Sequence, residues 1–159
     1  PHVSTHLNSN GVSIGASSAA LSIFAISGMF GKAIFGIFAD KIGSRLALMI
    51  DLVGQAIFTI VLVWAGTGVP VWLAVVFMGF FFGSFGALYQ LIVIESFGIK
   101  HFGGIMGIIT FATMIPMSLG PLIAGISFDR TGSYDVGFFL VAGLFLVGAI
   151  SLTQAKMEN

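Results

Sequence analysis

Polar and apolar positions along this chain fall into blocks rather than alternating. From Leu52 to Ile94 there is no Asp, Glu, Lys or Arg, and the same holds from Phe102 to Phe128 and from Val136 to Ala155. About 20 apolar residues suffice for a helix to cross the hydrocarbon core of a bilayer, and these runs are that long or longer. The pattern predicts five spans, at about 12–39, 46–65, 71–97, 104–128 and 136–155. Short polar or Gly/Pro segments separate them: Asp40 to Arg45, "GTGVP" at 66–70, "GIKHFGG" at 98–104 and "DRTGSYD" at 129–135. The expected fold class is all-α, a polytopic transmembrane helix bundle.

Composition agrees with this. The chain is 57% hydrophobic and 8% charged, with mean hydropathy +1.10 and net charge zero. A soluble domain of 159 residues needs far more charge to cover its surface. The absence of basic runs speaks against nucleic acid as a partner. With zero cysteines, thiolate metal sites and cysteine nucleophiles are excluded. His2 and His6 stand four apart in a segment that reads as loop, with no third ligand, so no metal centre is expected. His101 sits in a polar turn and calls for no special role. No nucleophile–base pair, phosphate-binding loop or paired membrane carboxylates suggest an enzyme or an ATP-driven pump, and no cofactor is expected. The polar opening "PHVSTHLNSN" looks like an interrupted loop, so the chain reads as a piece of a longer protein.

Basic residues give a sidedness. Lys41, Arg45, Lys100 and Lys156 fall on one face of the predicted topology and only Arg130 on the other. Short cytoplasmic loops retain Lys and Arg, which puts the 40–45 turn, the 98–104 loop and the C-terminus in the cytoplasm. Trp64 and Trp72 flank the opposite, outer turn, where indoles anchor at the interface. Inside the spans, Gly79/Gly83 and Gly103/Gly107 are small-xxx-small pairs that allow close helix approach, although glycine is common in membrane helices generally. Pro116 is expected to kink the fourth span.

Two segments echo each other. "GIFADKIGSR" at 36–45 and "GISFDRTGSY" at 125–134 share five of ten positions, 89 residues apart, at opposite membrane faces. An inverted-topology repeat of three helices gives that arrangement, as transporter folds often do.

"GIFADKIGSRLAL" resembles the signature of the major facilitator superfamily, Gly-x-x-x-Asp-x-x-Gly-x-Arg, at Gly36, Asp40, Gly43 and Arg45. "GPLIAGISFDRTGSY" and "ESFGIKHFGGIMG" resemble the outer end of helix eleven and the preceding turn in monocarboxylate-type and oxalate/formate-type members. The resemblance implies that residues 1–159 form the C-terminal part of a twelve-helix carrier, helices eight to twelve. It also implies a missing N-terminal half, a plasma or inner membrane location, and a small organic anion as substrate, with a proton or a counter-anion as the coupled species. In the family the motif's Asp faces a helix N-terminus in the other half. Asp40 is thus expected to latch the two halves, with Arg45 paired to a nearby acid, for which Glu95 is the candidate. A solvated turn with topogenic charges is the plainer alternative.

Lys32 is the most informative single residue. A Lys in the middle of a membrane helix costs about 2.5–3.5 kcal/mol on insertion scales and calls for a compensating role. The family usually has an Arg here that meets the substrate carboxylate, and often an Asp one turn earlier, where this chain has Gly28. Snorkelling of Lys32 to the surface near Asp40 stays open as the alternative. Gln55, Tyr89 and Gln90 are the further candidates for substrate contact, or else glue between helices. Asp51 is expected to pair near the cytoplasmic surface rather than to relay protons. The alternatives in function are an efflux or neutral-solute carrier of the same superfamily, or a five-span membrane scaffold with no transport of its own.

Overall fold

The computed structural model describes residues 14–65, 68–131 and 135–154. His2, His6 and Lys156 lie outside them, as does the side chain of Arg130. The described residues form helices and short connections, with no strand. The helices are α1 (Ile14–Ile42), α2 (Ser44–Trp64), α3 (Val69–Phe97), α4 (Phe102–Thr131) and α5 (Asp135–Gln154), with a 3₁₀ turn at Ile99–His101 before α4. The first four are long and apolar enough to cross a membrane, and α5 carries a shorter apolar stretch, Gly137–Thr153. The protein is therefore a multi-pass membrane protein.

The polar turn expected over Asp40–Arg45 is smaller than the charge pattern suggested. α1 runs on through Asp40 and Lys41 to Ile42, and Ser44 and Arg45 already belong to α2. Charged side chains at a membrane surface do not stop a helix; a residue that can leave helical φ does. Gly43 has φ +87° and ψ 147°, a backbone conformation that L side chains rarely adopt. Its N–H still donates to the carbonyl of Ala39 at 2.9 Å, and its own carbonyl accepts from Ala47 at 3.1 Å. One residue thus closes α1 and opens α2.

Two apolar clusters mark the ends of the bundle. One joins Ala20, Leu62, Val71, Ala74, Val75 and Phe138. The other joins Phe35, Ala39, Ala47, Leu48, Leu52, Leu88 and Ala149. Early residues of α1, α3 and α5 meet late residues of α2 in the first, and the reverse holds in the second. α1, α3 and α5 therefore run one way and α2 the other. Trp64 and Trp72 lie toward the first end, Trp64 largely exposed and Trp72 packed on the cluster.

The closest helix pair is α1 with α3. A Cβ on Gly28 would come within 3.1 Å of the Gly79 carbonyl oxygen and 3.3 Å of the Gly83 Cα. A Cβ on Gly31 would collide with the Phe80 carbonyl, one on Gly79 with Ser27 and Phe24, and one on Gly83 with the Gly28 backbone. Backbones touch here because no side chain intervenes, which is how helices associate where lipid removes the hydrophobic drive. Gly103 and Gly107 behave differently: nothing described lies within 4 Å of a Cβ built on either. They sit on α4, which is thinly covered; its Ile108 and Phe111 are each 72% exposed. α4 continues unbroken through Pro116.

Candidate functional site

Lys32 follows directly on the α1–α3 seam. Its neighbour Gly31 is buried against Phe80, and one residue further round the helix Lys32 is exposed. Along that face of α1, at helical spacing, stand Ser22, Ala25, Met29 and Gly36, all exposed or half-exposed, and a Cβ on Gly36 would meet nothing within 4 Å. On the side of Gly36 nothing described covers the helix beside Lys32. No hydrogen bond or ion pair engages it among the described residues.

The position one turn earlier is occupied for packing. Gly28 lies against Gly79 and Gly83, so a carboxylate side chain there would have to push α3 away. Its smallness belongs to the seam.

The other candidates separate into two groups. Gln90 is exposed on α3, two turns past Gly83 on the same helical face. Gln55 and Tyr89 point into the bundle. Tyr89 is half-buried, packs on the second apolar cluster and lies 5.4 Å from the Phe85 ring, centroid to centroid. The Gln55 amide Nε2 donates to Asp51 Oδ2 at 2.8 Å with both residues buried.

Asp51 is where the structure departs most from expectation. It does not pair near the surface. Its side chain has no solvent exposure, and Ser84 of α3 donates to its Oδ1 at 2.5 Å. Thr59, also fully buried, continues the same face of α2 one turn beyond Gln55, and its Oγ1 has no partner among the described residues. Around this column Phe81 of α3 fills the space over Gly54, and Phe58 stacks on Phe77 at 4.7 Å. The sequence signal was present: Asp51, Gln55 and Thr59 recur every four residues, one polar line on an apolar span. The partner Ser84 was not visible in it.

At the end of the bundle where α1 meets α2, a cleft of about 430 Å³ is lined by Ile42, Gly43, Ser44, Arg45, Met49, Glu95 and Thr153, among others. The motif residues, the end of α3 and the end of α5 therefore gather at one end. Glu95 accepts a short hydrogen bond from Ser44 Oγ, and no ion pair joins it to Arg45 among the described residues. Asp40 is exposed on the last turns of α1 and has no partner among the described residues. Gly36 lies one turn before it.

Residues 1–156 match the family described as the Major Facilitator Superfamily. The chain is similar to Monocarboxylate transporter 14 of Homo sapiens, 33% identical over 135 residues, which is 82% of this chain and 26% of the relative. It is similar also to Monocarboxylate transporter 10 of Danio rerio, 39% identical over 75 residues, 47% of this chain and 15% of the relative. Monocarboxylate transporter 12 of Xenopus laevis is 32% identical over 84 residues, 53% of this chain and 18% of the relative. The matched stretch spans about a quarter or less of each relative's length. With the motif at Gly36–Arg45 and four spanning helices in place, the chain belongs to the Major Facilitator Superfamily of membrane transporters.

Proposed function

We propose that this chain is the C-terminal part, helices eight to twelve, of a secondary carrier that moves a small organic anion by alternating access. The observation that carries the reading is Lys32: a positive charge within a spanning helix, on an open face, with no partner among the described residues. A cation so placed is costly unless something compensates it, and a substrate carboxylate does so. The relatives named for monocarboxylates support that substrate class. Gln90, on the exposed side of α3, adds a hydrogen-bonding group. Gln55 and Tyr89 shape the wall from behind.

The end carrying Gly43, Arg45 and Glu95 is the cytoplasmic one in this reading, since Lys41, Arg45 and Lys100 collect there. Asp40 then projects from α1 toward the half of the carrier that precedes this chain and latches it, while Gly36 and Gly43 keep that surface low. The Ser44–Glu95 bond ties the start of α2 to the end of α3, so the motif sits on a fixed base.

The test is uptake by the full-length carrier in proteoliposomes, comparing short monocarboxylates with their uncharged amides. Lys32→Ala should raise KM for the anion about tenfold or more, the value of one charged hydrogen bond, while Lys32→Arg retains uptake. Equal uptake of acid and amide, or unchanged kinetics in Lys32→Ala, would remove the anion site.

A further inference from the structure

Asp51 has no part in the function just proposed, yet it is the one carboxyl among the described residues that is fully buried within a span. Taking a carboxylate out of water is costly unless hydrogen bonds or charges compensate it. Here Gln55 and Ser84 supply one donor to each oxygen. No cation joins them among the described residues. The charged and titratable groups of the elements packed around Asp51 are Arg45 on α2, Lys32, Asp40 and Lys41 on α1, and Tyr89 and Glu95 on α3. None of these bonds to it, Arg45 and Tyr89 being half-buried and the rest exposed. Over Gly137–Thr153, α5 carries no charge at all.

Ser84 is placed for two arrangements. Its Oγ lies 2.5 Å from Asp51 Oδ1, 2.8 Å from the carbonyl oxygen of Phe81 and 3.3 Å from that of Phe80. A hydroxyl has one proton to donate and can also accept. With Asp51 ionised, Ser84 donates to Oδ1. With a proton on Oδ1, Asp51 donates to Ser84 Oγ, and the hydroxyl turns its own proton to the Phe81 carbonyl. Gln55 keeps its bond to Oδ2 in both. The Ser84 hydroxyl and the acid proton each have an acceptor, and one proton from water is the only atom added.

We propose that Asp51, Ser84 and Gln55 form a proton-binding site inside the bundle, whose occupancy reverses the hydrogen bond between α2 and α3. The α3 turn that carries Ser84 also presents Phe80 to Gly31 and Gly83 to Gly28 of α1, so the site adjoins the seam that Lys32 follows in sequence. Its coupling to transport rests on the carrier reading; its existence does not.

Infrared difference spectra of the purified full-length carrier in lipid, between alkaline and acidic buffer, read the site without any substrate. A protonated-carboxyl C=O band should grow on the acid side, be lost in Asp51→Asn and be displaced in Ser84→Ala, which removes its acceptor. Asparagine keeps the shape and can donate to Ser84, so the fold is retained. Should that variant fail to fold, the displacement in Ser84→Ala decides alone. A band unchanged in both variants overturns the proposal. Lactate uptake by the same proteoliposomes across pH separates the two readings. No lactate uptake, with the band lost in Asp51→Asn, removes the anion carrier and leaves the proton site standing. Uptake with an acid response that Asp51→Asn abolishes supports both, and an undiminished acid response in that variant overturns the coupling.

Discussion

The two sides of α3 hold their neighbours by different means. Toward α1 it offers Gly79 and Gly83 against Gly28 and Gly31, a contact of backbone on backbone. Toward α2 it offers Phe77, Phe81 and Ser84, which meet Phe58, Gly54 and Asp51. The first seam depends on shape, and a single added carbon disturbs it. The second contains a carboxyl and a hydroxyl, so a single proton can alter it without moving a carbon. A carrier that must keep some helix pairs fixed while others respond has use for both kinds of contact. The glycines of α4 sharpen the point, because Gly103 and Gly107 have the same spacing as Gly79 and Gly83 yet touch nothing described. Spacing permits a close contact; a facing helix makes one.

The largest effect is expected from filling the shape-determined seam. Gly31→Leu drives a branched side chain into the Phe80 backbone and should cost more than the about 1–3 kcal/mol typical of overpacking. The full-length carrier should lose its folded form, seen as a collapse of thermal stability in detergent; an unchanged melting temperature would mean that the seam is not close. Asp51→Leu comes next. It leaves the Gln55 amide buried without its acceptor, at about 1–3 kcal/mol, and breaks the tie to Ser84, whose hydroxyl turns to the Phe81 carbonyl, whereas Asp51→Asn should cost much less. Equal destabilisation by the two would show that the column is held by packing alone. Ser84→Ala deletes only the bond between helices and should lower stability by about 0.6–1.7 kcal/mol, the range of polar contacts within membranes. The smallest effect belongs to Ser44→Ala, which frees Glu95 at the exposed end of α3, at under about 1 kcal/mol. A larger loss there would mean that the cleft holds the bundle together rather than capping it.

Much of this was legible in the chain because membranes impose a simple code. Leu52–Ile94 without a charge has to hold two crossings, and the "GTGVP" segment divides them. Gly79/Gly83 had the spacing for a close approach, as did Gly103/Gly107, and the polar Asp40–Arg45 segment marked the break between α1 and α2 without singling out Gly43. The ends of helices were less legible: Asp40 and Lys41 look like a turn by charge but remain helical, since within residues 40–45 only Gly43 takes a positive φ. What could not be seen were pairings across long separations. Ser84 is 33 residues from Asp51 and Glu95 is 51 from Ser44, and both pairs depend on how α2 and α3 are rotated against each other. Gly28 was legible as a departure from the family pattern, and its reason lies in α3.

Charge at position 32 is the most direct test of the whole account. This chain has no cysteine, so Lys32→Cys in a carrier otherwise freed of reactive thiols gives one modifiable site. Lactate uptake should be lost in the cysteine variant, restored by a thiol reagent that attaches an ethylammonium group, and left lost by one that attaches an ethylsulfonate. Uptake indifferent to the sign of the attached charge would contradict the anion site and, with it, the proposed function.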